Sequence, residues 1–163
     1  MPDAAITGAS GFVGGDLLET LVARGDAVRA VVRSEEAAQI VRSRGAEPVV
    51  ADLLDADGLR DALWGVPLLF HVAGVNDTCP RDVPAMDRVN VDGTRAIVEA
   101  AADAGVGRVV VTSSAATIGE AAGTIGAEHT AHTGDYLSPY ARSKHRGEEV
   151  AFATAADLGV DLV

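Results

Sequence analysis

The sequence has few cysteines, few basic residues and no long apolar run, and each shortage removes a class of function. Cys79 is the only cysteine among 163 residues, so the chain forms no internal disulfide and no cysteine-rich zinc site, as is usual in a reducing compartment. Thirteen basic residues stand against 24 acidic ones, a net charge of −11 that repels nucleic-acid phosphates and anionic lipid headgroups. No apolar run reaches the length of a membrane span. We therefore expect a cytoplasmic protein that binds neither nucleic acid nor a membrane.

The 48% of apolar residues suffices for one core, so we expect a single domain over residues 1–163. Apolar segments alternate with segments of helical periodicity, and glycines mark where they end. This pattern predicts strands at 4–7, 27–32, 47–52, 67–73 and 108–113, with a sixth strand beginning at 160–163. It predicts helices at 16–24, 34–45, 57–64, 84–104 and 139–158, and a surface loop at 119–135.

Strands that alternate with helices predict an α/β fold, a Rossmann-like doubly wound parallel sheet. Ligands of such sheets bind at the carboxyl ends of the strands. The turns after Thr7, Val32, Ala51, Val72 and Val111 are therefore expected to face one crevice.

The turn after the first predicted strand carries glycines at positions 8, 11 and 14 and leads into the first predicted helix. Glycine permits a tight turn and close approach of the backbone, and the amino end of a helix attracts a pyrophosphate. The alternative is a turn that only requires a positive φ angle. The strand before and the amphipathic helix after favour the dinucleotide interpretation.

Arg33 stands at the end of the second strand, where NAD sites usually have a carboxylate and NADP sites a basic residue. This position favours NADP, unless Arg33 is simply a solvated charge at the end of a strand.

Tyr140 and Lys144 lie four residues apart near the start of the last helix, so their side chains share a face. A fixed cation near a tyrosine favours the phenolate, which suits that tyrosine to proton transfer. The alternative is an ordinary helix with a half-buried tyrosine and an exposed lysine.

Together these residues resemble the extended branch of the short-chain dehydrogenase/reductase family, most closely its dihydroflavonol-reductase-like members. Six blocks carry the resemblance, in the family's order: Thr7-Gly8-Ala9-Ser10-Gly11-Phe12-Val13-Gly14, Ala51-Asp52-Leu53, His71-Val72-Ala73-Gly74, Val89-Asn90-Val91-Asp92-Gly93-Thr94, Thr112-Ser113-Ser114-Ala115 and Tyr140-Ala141-Arg142-Ser143-Lys144.

The resemblance implies a catalytic group of Ser114, Tyr140 and Lys144. Tyr140 would exchange a proton with the substrate oxygen, Lys144 would hold the nicotinamide ribose, and Ser114 would polarise the carbonyl. The implied cofactor contacts are Gly8, Ser10, Gly11, Phe12, Val13, Gly14, Arg33, Asp52, Leu53, Ala73, Gly74, Asn90, Thr112, Tyr140 and Lys144. Asn90 has an alternative interpretation as a residue that only caps backbone groups of its helix.

Other polar residues are assigned no role in the chemistry. Glu128, His129 and His132 lie in a polar loop without a third firmly placed metal ligand, and we expect no metal site there. His71 is expected to be a hydrogen-bonded core histidine, Glu148 and Glu149 an exposed helix face, and Cys79 an unactivated loop thiol.

The expected function is that of an NADP-dependent oxidoreductase that reduces a ketone or oxidises a secondary alcohol of a small molecule. The alternatives are an NAD-dependent sugar-nucleotide epimerase or dehydratase, and a nucleotide-binding module without turnover. The resemblance also implies a homodimer through the helices around Ala96 and Arg146. Family members continue past the sixth strand into a substrate lobe, so we expect the chain to be part of a longer polypeptide.

Overall fold

The computed structural model describes residues 1–119 and 123–163. Its strands are β1 (Ala4–Thr7), β2 (Val28–Val32), β3 (Glu47–Val50), β4 (Leu68–His71) and β5 (Arg108–Val111). Its helices are α1 (Phe12–Arg24), α2 (Glu35–Ser43), α3 (Ala56–Leu63), α4 (Val83–Asp87), α5 (Gly93–Asp103) and α6 (Pro139–Leu158). The predicted alternation of strands and helices is confirmed.

The five strands form one parallel sheet in the order β3-β2-β1-β4-β5. Beyond β5, Leu162 pairs in parallel with Val109, and the N–H of Val109 donates to Asp161 O at 2.8 Å. From β1 the chain therefore adds β2 and β3 on one side of the sheet and then returns to add β4 and β5 on the other side of β1. The switch point of the sheet lies between β1 and β4. At such a switch point the loops diverge and leave a crevice at the carboxyl ends of the strands.

Helices cover both faces of the sheet, as the Rossmann-like prediction requires. On one face Leu18, Leu21 and Val41 from α1 and α2 pack on Ile6. On the other, α3, α5 and α6 pack on Leu69 and Val109. Because both faces are buried, the strands are apolar at consecutive positions.

Most helix ends follow from local sequence. The side chains of Ser34, Asp55, Asp82 and Ser138 accept hydrogen bonds from the first turns of their helices. Gly25 and Gly159 end α1 and α6 in the left-handed conformation. These short-range interactions explain why the predicted bounds of α2, α3 and α6 are close to the observed ones.

Helix α1 starts at Phe12, four residues before the predicted start at residue 16. Gly14 and Gly15 are weak helix formers, which argued for a later start. Both are buried, and the helix forms through them because it must approach the β1 turn without intervening side chains.

The helix predicted over 84–104 is also different in the structure. A wide π-helical turn at Arg88–Asp92, in which Gly93 N–H donates to Arg88 O, separates α4 from α5. The hydroxyl of Thr94 donates to Asn90 O at 2.8 Å. This side-chain bond competes with the regular helical bond to the same carbonyl.

The predicted loop at 119–135 has no helix or strand among its described residues, and residues 120–122 lie outside them. A short 3-10 turn at Ala115–Thr117, which the sequence did not predict, precedes it. None of the described helices is apolar over a length that would cross a membrane.

Candidate active site

The glycine turn after β1 is closed by a hydrogen bond from Gly11 N–H to Gly8 O at 3.0 Å. Gly8 has φ of 76°, and a Cβ atom there would lie 2.6 Å from Ala73 N. A Cβ atom on Gly14 would lie 2.3 Å from Gly8 O. Neither position accepts a side chain. Of the three glycines only Gly8 has a positive φ angle. Gly14 is required instead because the first turn of α1 packs directly against the backbone of Gly8.

The amino end of α1 opens directly onto this turn. Its N-cap is Gly11, which has no side chain to accept a capping bond, and its first turn carries no acidic residue. The N–H groups of the first turn therefore lack helical partners, and the helix dipole adds a partial positive charge. Ser10, Phe12 and Val13 beside it are exposed. This end of α1 is a suitable site for a pyrophosphate.

The loop after β4 forms the second wall of the crevice. Ala73 N–H donates to Thr7 Oγ1 at 3.2 Å, which joins this loop to the end of β1. Gly74 is exposed beside it, and a Cβ atom there would approach Asn90 Oδ1 to 3.2 Å. The predicted Ala73 and Gly74 therefore lie at the switch point next to the glycine turn.

Three further predicted residues follow β2 and β3 at the same edge of the sheet. Arg33 is exposed directly after β2, whose Val31 pairs with Thr7. Asp52 is exposed, and its Oδ1 accepts from Leu54 N–H at 2.8 Å. Leu53 packs against the core. The side chains of Arg33 and Asp52 are accessible to a ligand in the crevice.

Lys144 connects α6 to the end of β5. Its Nζ donates to Thr112 O at 2.7 Å, while Thr112 N–H donates to His71 O at 2.9 Å. Burial lowers the pKa of the Lys144 ammonium below its ordinary value, and the carboxylate of Glu148 partly offsets this by raising it. The alternative of an exposed lysine is therefore wrong: Lys144 is a half-buried cation held at the sheet edge.

Tyr140 lies one helical turn before Lys144 and is half-buried. Among the described residues its hydroxyl has no hydrogen-bond partner, so the hydroxyl is available to a ligand. Its backbone carbonyl accepts from Ser143 Oγ at 2.8 Å. The structure thus brings Tyr140 and Lys144 to one face of α6 at the carboxyl end of β5.

The two adjacent serines after β5 have different partners. Ser114 caps the 3-10 turn, and its Oγ accepts from Ala116 N–H at 3.2 Å. This leaves the Ser114 hydroxyl hydrogen free to donate to a substrate. Ser113 instead donates its hydrogen to Glu148. The 3-10 turn packs against α6, which places Ser114 on the same side of the sheet edge as Lys144.

A buried chain of polar side chains lies beneath these residues. Thr7 Oγ1 is 2.8 Å from His71 Nδ1, and His71 Nε2 is 3.2 Å from Thr94 Oγ1. Because Thr94 donates its own hydrogen to Asn90 O, it accepts from Nε2–H, and Thr7 donates to Nδ1. Burial, together with the charge of Lys144, lowers the pKa of His71 to about 3. His71 is a neutral, hydrogen-bonded core residue, as predicted.

Asn90 continues this chain toward α6. Its Oδ1 accepts from Val75 N–H at 2.7 Å, and its Nδ2 donates to Val75 O at 3.0 Å and to Ser143 Oγ at 2.9 Å. Both amide hydrogens are thereby used within the protein. The side chain of Asn90 therefore fastens the loop after β4 to the helix of Tyr140, and it does not cap backbone groups of its own helix as the alternative interpretation expected.

Sequence comparison matches the profile of the 3-beta hydroxysteroid dehydrogenase/isomerase family to residues 5–158. The chain belongs to this family. A ketoreductase of Stigmatella aurantiaca, named for a 4-hydroxy-2-methyl-3-oxo-4-farnesyl-3,4-dihydroquinoline-1-oxide, is 42% identical over 71% of the chain and 34% of its own length. A putative dihydroflavonol 4-reductase of Synechocystis sp. is 38% identical over 97% of the chain and 46% of its own length.

Among solved structures, MoeE5 in complex with UDP-glucose and NAD matches with a TM-score of 0.82 at 33% identity. The match covers 98% of this chain and 51% of MoeE5. The chain therefore spans at most about half the length of these relatives. The expected resemblance to extended short-chain dehydrogenases/reductases and the Rossmann-like fold are both confirmed.

One residue of this dehydrogenase/isomerase family member was misjudged from sequence. Glu148 was expected on an exposed helix face with Glu149, but only Glu149 is exposed. The carboxylate of Glu148 binds Ser113 and lies 3.2 Å from Thr117 Oγ1. Helical periodicity does not identify a partner that reaches α6 from a distant loop.

A second signal in the sequence was missed. Lys144 is the only lysine of the chain, beside 12 arginines, since lysine and arginine together number 13. A buried lysine shifts its pKa and exchanges protons, whereas arginine stays charged. The single lysine therefore distinguishes position 144 from the other basic positions of the sequence.

His132 of the polar loop before α6 has aromatic neighbours in the described part of the chain. Within residues 1–119 and 123–163 no cluster of three or more potential metal ligands is found. His132 stacks on Tyr136 with ring centroids 4.4 Å apart, and Tyr136 Oη lies 3.0 Å from His145 Nδ1. Cys79 is exposed.

Proposed function

We propose that the protein is an NADP-dependent oxidoreductase that interconverts a ketone and a secondary alcohol of a small organic molecule. The observation that carries this proposal is the arrangement at the end of β5, where Lys144 is bound to Thr112 O at 2.7 Å one turn after an unpartnered Tyr140 hydroxyl. A protein that only binds nucleotides has no need of a tyrosine placed for proton transfer.

The crevice fits a nicotinamide dinucleotide. The glycine turn leaves no room for side chains at positions 8 and 14, and the amino end of α1 supplies N–H donors for the pyrophosphate. Asp52 and Leu53 would meet the adenine, and Ala73 and Gly74 the middle of the cofactor. When bound, the dinucleotide supplies or accepts the hydride.

The chain's own residues supply the proton and hold the substrate oxygen. In the reducing direction Tyr140 donates its hydroxyl proton to the carbonyl oxygen as the carbon accepts the hydride, so that an alcohol forms. Ser114 donates a hydrogen bond to the same oxygen. Lys144 stabilises the resulting phenolate through its charge, and with one N–H bound to Thr112 it has two others for the ribose and solvent.

Arg33 supports NADP over NAD. It is exposed at the end of β2, and no carboxylate pairs with its guanidinium among the described residues. The guanidinium is therefore free to bind a ribose phosphate, which arginine grips with paired N–H donors.

The second candidate is an NAD-dependent epimerase or dehydratase that acts on a sugar nucleotide. MoeE5, whose solved structure is a complex with UDP-glucose and NAD, favours it through 33% identity. The two functions differ in their net chemistry, because an epimerase returns the cofactor to its starting state, whereas a ketone reductase consumes one NADPH for each product formed.

The test is replacement of each of the two tyrosines by phenylalanine in the full-length protein. NADPH oxidation is followed at 340 nm with a panel of ketones and compared with NADH. We expect Tyr140→Phe to lower kcat about 100-fold or more, the usual contribution of a general acid. Tyr136→Phe, which removes a hydroxyl bound to His145, is expected to retain activity. Cofactor binding without turnover, unchanged in Tyr140→Phe, would instead indicate a non-catalytic module.

We also propose a homodimer formed through α5 and α6. Phe152 and Leu158 of α6 are about half exposed, at 53% and 50%, and Arg146 on the same helix is exposed as well. Burial of such apolar side chains stabilises association. Light scattering of the full-length protein measures its mass, and a monomer at all concentrations would refute the proposal.

A further inference from the structure

Glu148 lies one helical turn after Lys144 on α6 and is half-buried. Its Oε2 accepts a hydrogen bond from Ser113 Oγ and lies 3.2 Å from Thr117 Oγ1, whose single hydrogen is shared with Ser114 O at 2.8 Å. Both hydroxyl groups belong to the segment that follows β5. Glu149, the next residue, projects into solvent with a carboxylate 3.5 Å from His145 Nδ1. Two adjacent glutamates thus occupy different surroundings.

Ser114 lies between the two partners of Glu148, Ser113 and Thr117, in the sequence. Ser113 precedes it, and Thr117 Oγ1 also contacts Ser114 O at 2.8 Å. Thr112 at the start of the segment is held by Lys144. Residues 112–117 are therefore attached to α6 at two points, one turn of helix apart, and Ser114 lies between them.

Glu148 also acts on Lys144 through its charge. Burial lowers the pKa of the Lys144 ammonium, and Glu148 opposes that effect by raising it. Two further ionisable side chains of this site are His71, whose pKa the charge of Lys144 helps to lower, and Tyr140, one turn earlier on α6. His71 is neutral across the working range because its pKa is about 3. Glu148 is thus the negative charge that compensates Lys144.

We propose that Glu148 is a positioning residue of the active site, which fixes the Ser114 segment against α6 one helical turn after Lys144. This inference rests on the proposed function for its effect on turnover. Its structural content, the place of the Glu148 carboxylate on this segment one turn from Lys144, does not. The two parts are tested separately.

The first experiment measures the protonation of Lys144 directly. Because the described chain has one lysine, protein labelled with [13Cε]-lysine gives one resonance for it, which disappears in Lys144→Arg. The chemical shift is followed against pH in the wild type, Glu148→Gln and Glu149→Gln. We expect the Lys144 midpoint to fall by about half a pH unit or more in Glu148→Gln, the direction that loss of a neighbouring carboxylate requires. Glu149→Gln is expected to retain the wild-type midpoint.

The second experiment measures turnover in the same variants. The glutamine amide oxygen still accepts a hydrogen bond, so Glu148→Gln is expected to fold, which thermal unfolding checks. We expect kcat to fall about tenfold or more with little change in KM, and the alkaline limb of kcat to move to lower pH. Glu148→Asp is expected to restore the position of that limb because it restores the charge. Glu149→Gln is expected to match the wild type.

The outcomes separate the two proposals. Equal Lys144 midpoints in the wild type and Glu148→Gln would overturn the inference, whatever the activity. A wild type that reduces no ketone would refute the proposed reaction while the lysine titration still decides the role of Glu148 in charging Lys144. Identical pH profiles of kcat in Glu148→Gln and Glu149→Gln would show that Glu148 does not position the reacting groups.

Discussion

The buried imidazole of His71 makes the stability of the fold depend on pH. Its side chain lies between Thr7 and Thr94 and is only 2% exposed. Both ring nitrogens are used in the neutral form, so protonation must break the bond that Nδ1 accepts from Thr7. The unfolded chain titrates near the ordinary value of 6.5, whereas burial lowers the pKa in the folded protein to about 3.

The sign of the effect follows from proton binding. Between these two values the unfolded state binds more protons than the folded state, so stability is complete above about pH 6.5 and is lost as the pH falls toward 3. Each pH unit in this window corresponds to about 1.4 kcal/mol. His71 alone therefore removes about 2 kcal/mol from the free energy of unfolding between pH 7.5 and 5, and about 4 kcal/mol by pH 3, where the folded histidine is itself half protonated.

The substitution that isolates this effect is His71→Gln. A glutamine amide retains one acceptor for Thr7 and a donor for Thr94 but does not titrate. Urea unfolding at pH 7.5 and 5 gives the free energy of unfolding of the wild type, His71→Gln and the control His129→Gln, whose histidine lies in the exposed loop.

We expect the loss of stability between the two pH values to be about 2 kcal/mol smaller in His71→Gln than in the wild type. His129→Gln is expected to retain the full loss. Equal losses in the wild type and His71→Gln would refute the reasoning, because other titrating groups contribute equally to both proteins.

Two further predictions concern the cofactor crevice. Gly14→Ala is expected to cost about 1 to 3 kcal/mol of stability and to abolish dinucleotide binding, since its Cβ would lie 2.3 Å from Gly8 O. Gly11→Ala is the control for stability, because its Cβ would lie 3.3 Å from Gly8 O; urea unfolding compares the two variants, cofactor fluorescence compares Gly14→Ala with the wild type, and equal stability of the two variants would refute the packing argument. Arg33→Asp is expected to weaken NADPH binding about tenfold or more, the effect of losing one charged hydrogen bond, with NADH binding retained. Unchanged NADPH affinity in titrations of both cofactors would remove the reason for naming NADP.

Interactions between near neighbours in the chain made much of this protein predictable. Strand and helix alternation gave the parallel sheet, since each segment shows its own apolar period. Ser34 and Ser138 cap their helices through bonds to residues three positions ahead, and Tyr140 and Lys144 share a face of α6 by helical spacing alone. The six sequence blocks placed the chain in its family for the same reason: each block is contiguous.

The features that the sequence did not predict correctly depend on contacts between distant parts of the chain. The wide turn at Arg88–Asp92 forms where α6 crosses it, and Gly147 permits that crossing because a Cβ there would lie 2.3 Å from Asn90 O. In this wide turn the side-chain amide of Asn90 binds Val75 and Ser143 rather than backbone groups of its own helix. Helix α1 starts early for a similar reason, since its glycines lie against the end of β1.

Glu148 shows this division most clearly. Residue type and spacing placed it on α6 beside Glu149, and nothing in the local sequence distinguishes the two carboxylates. Only packing of the 3-10 turn against α6 brings the hydroxyls of Ser113 and Thr117 to one of them. The sequence by itself determined which elements form and which residue types reach the sheet edge. The tertiary structure decided which of those residues are paired, because hydrogen bonds and charges act over a few ångströms in space and not along the chain.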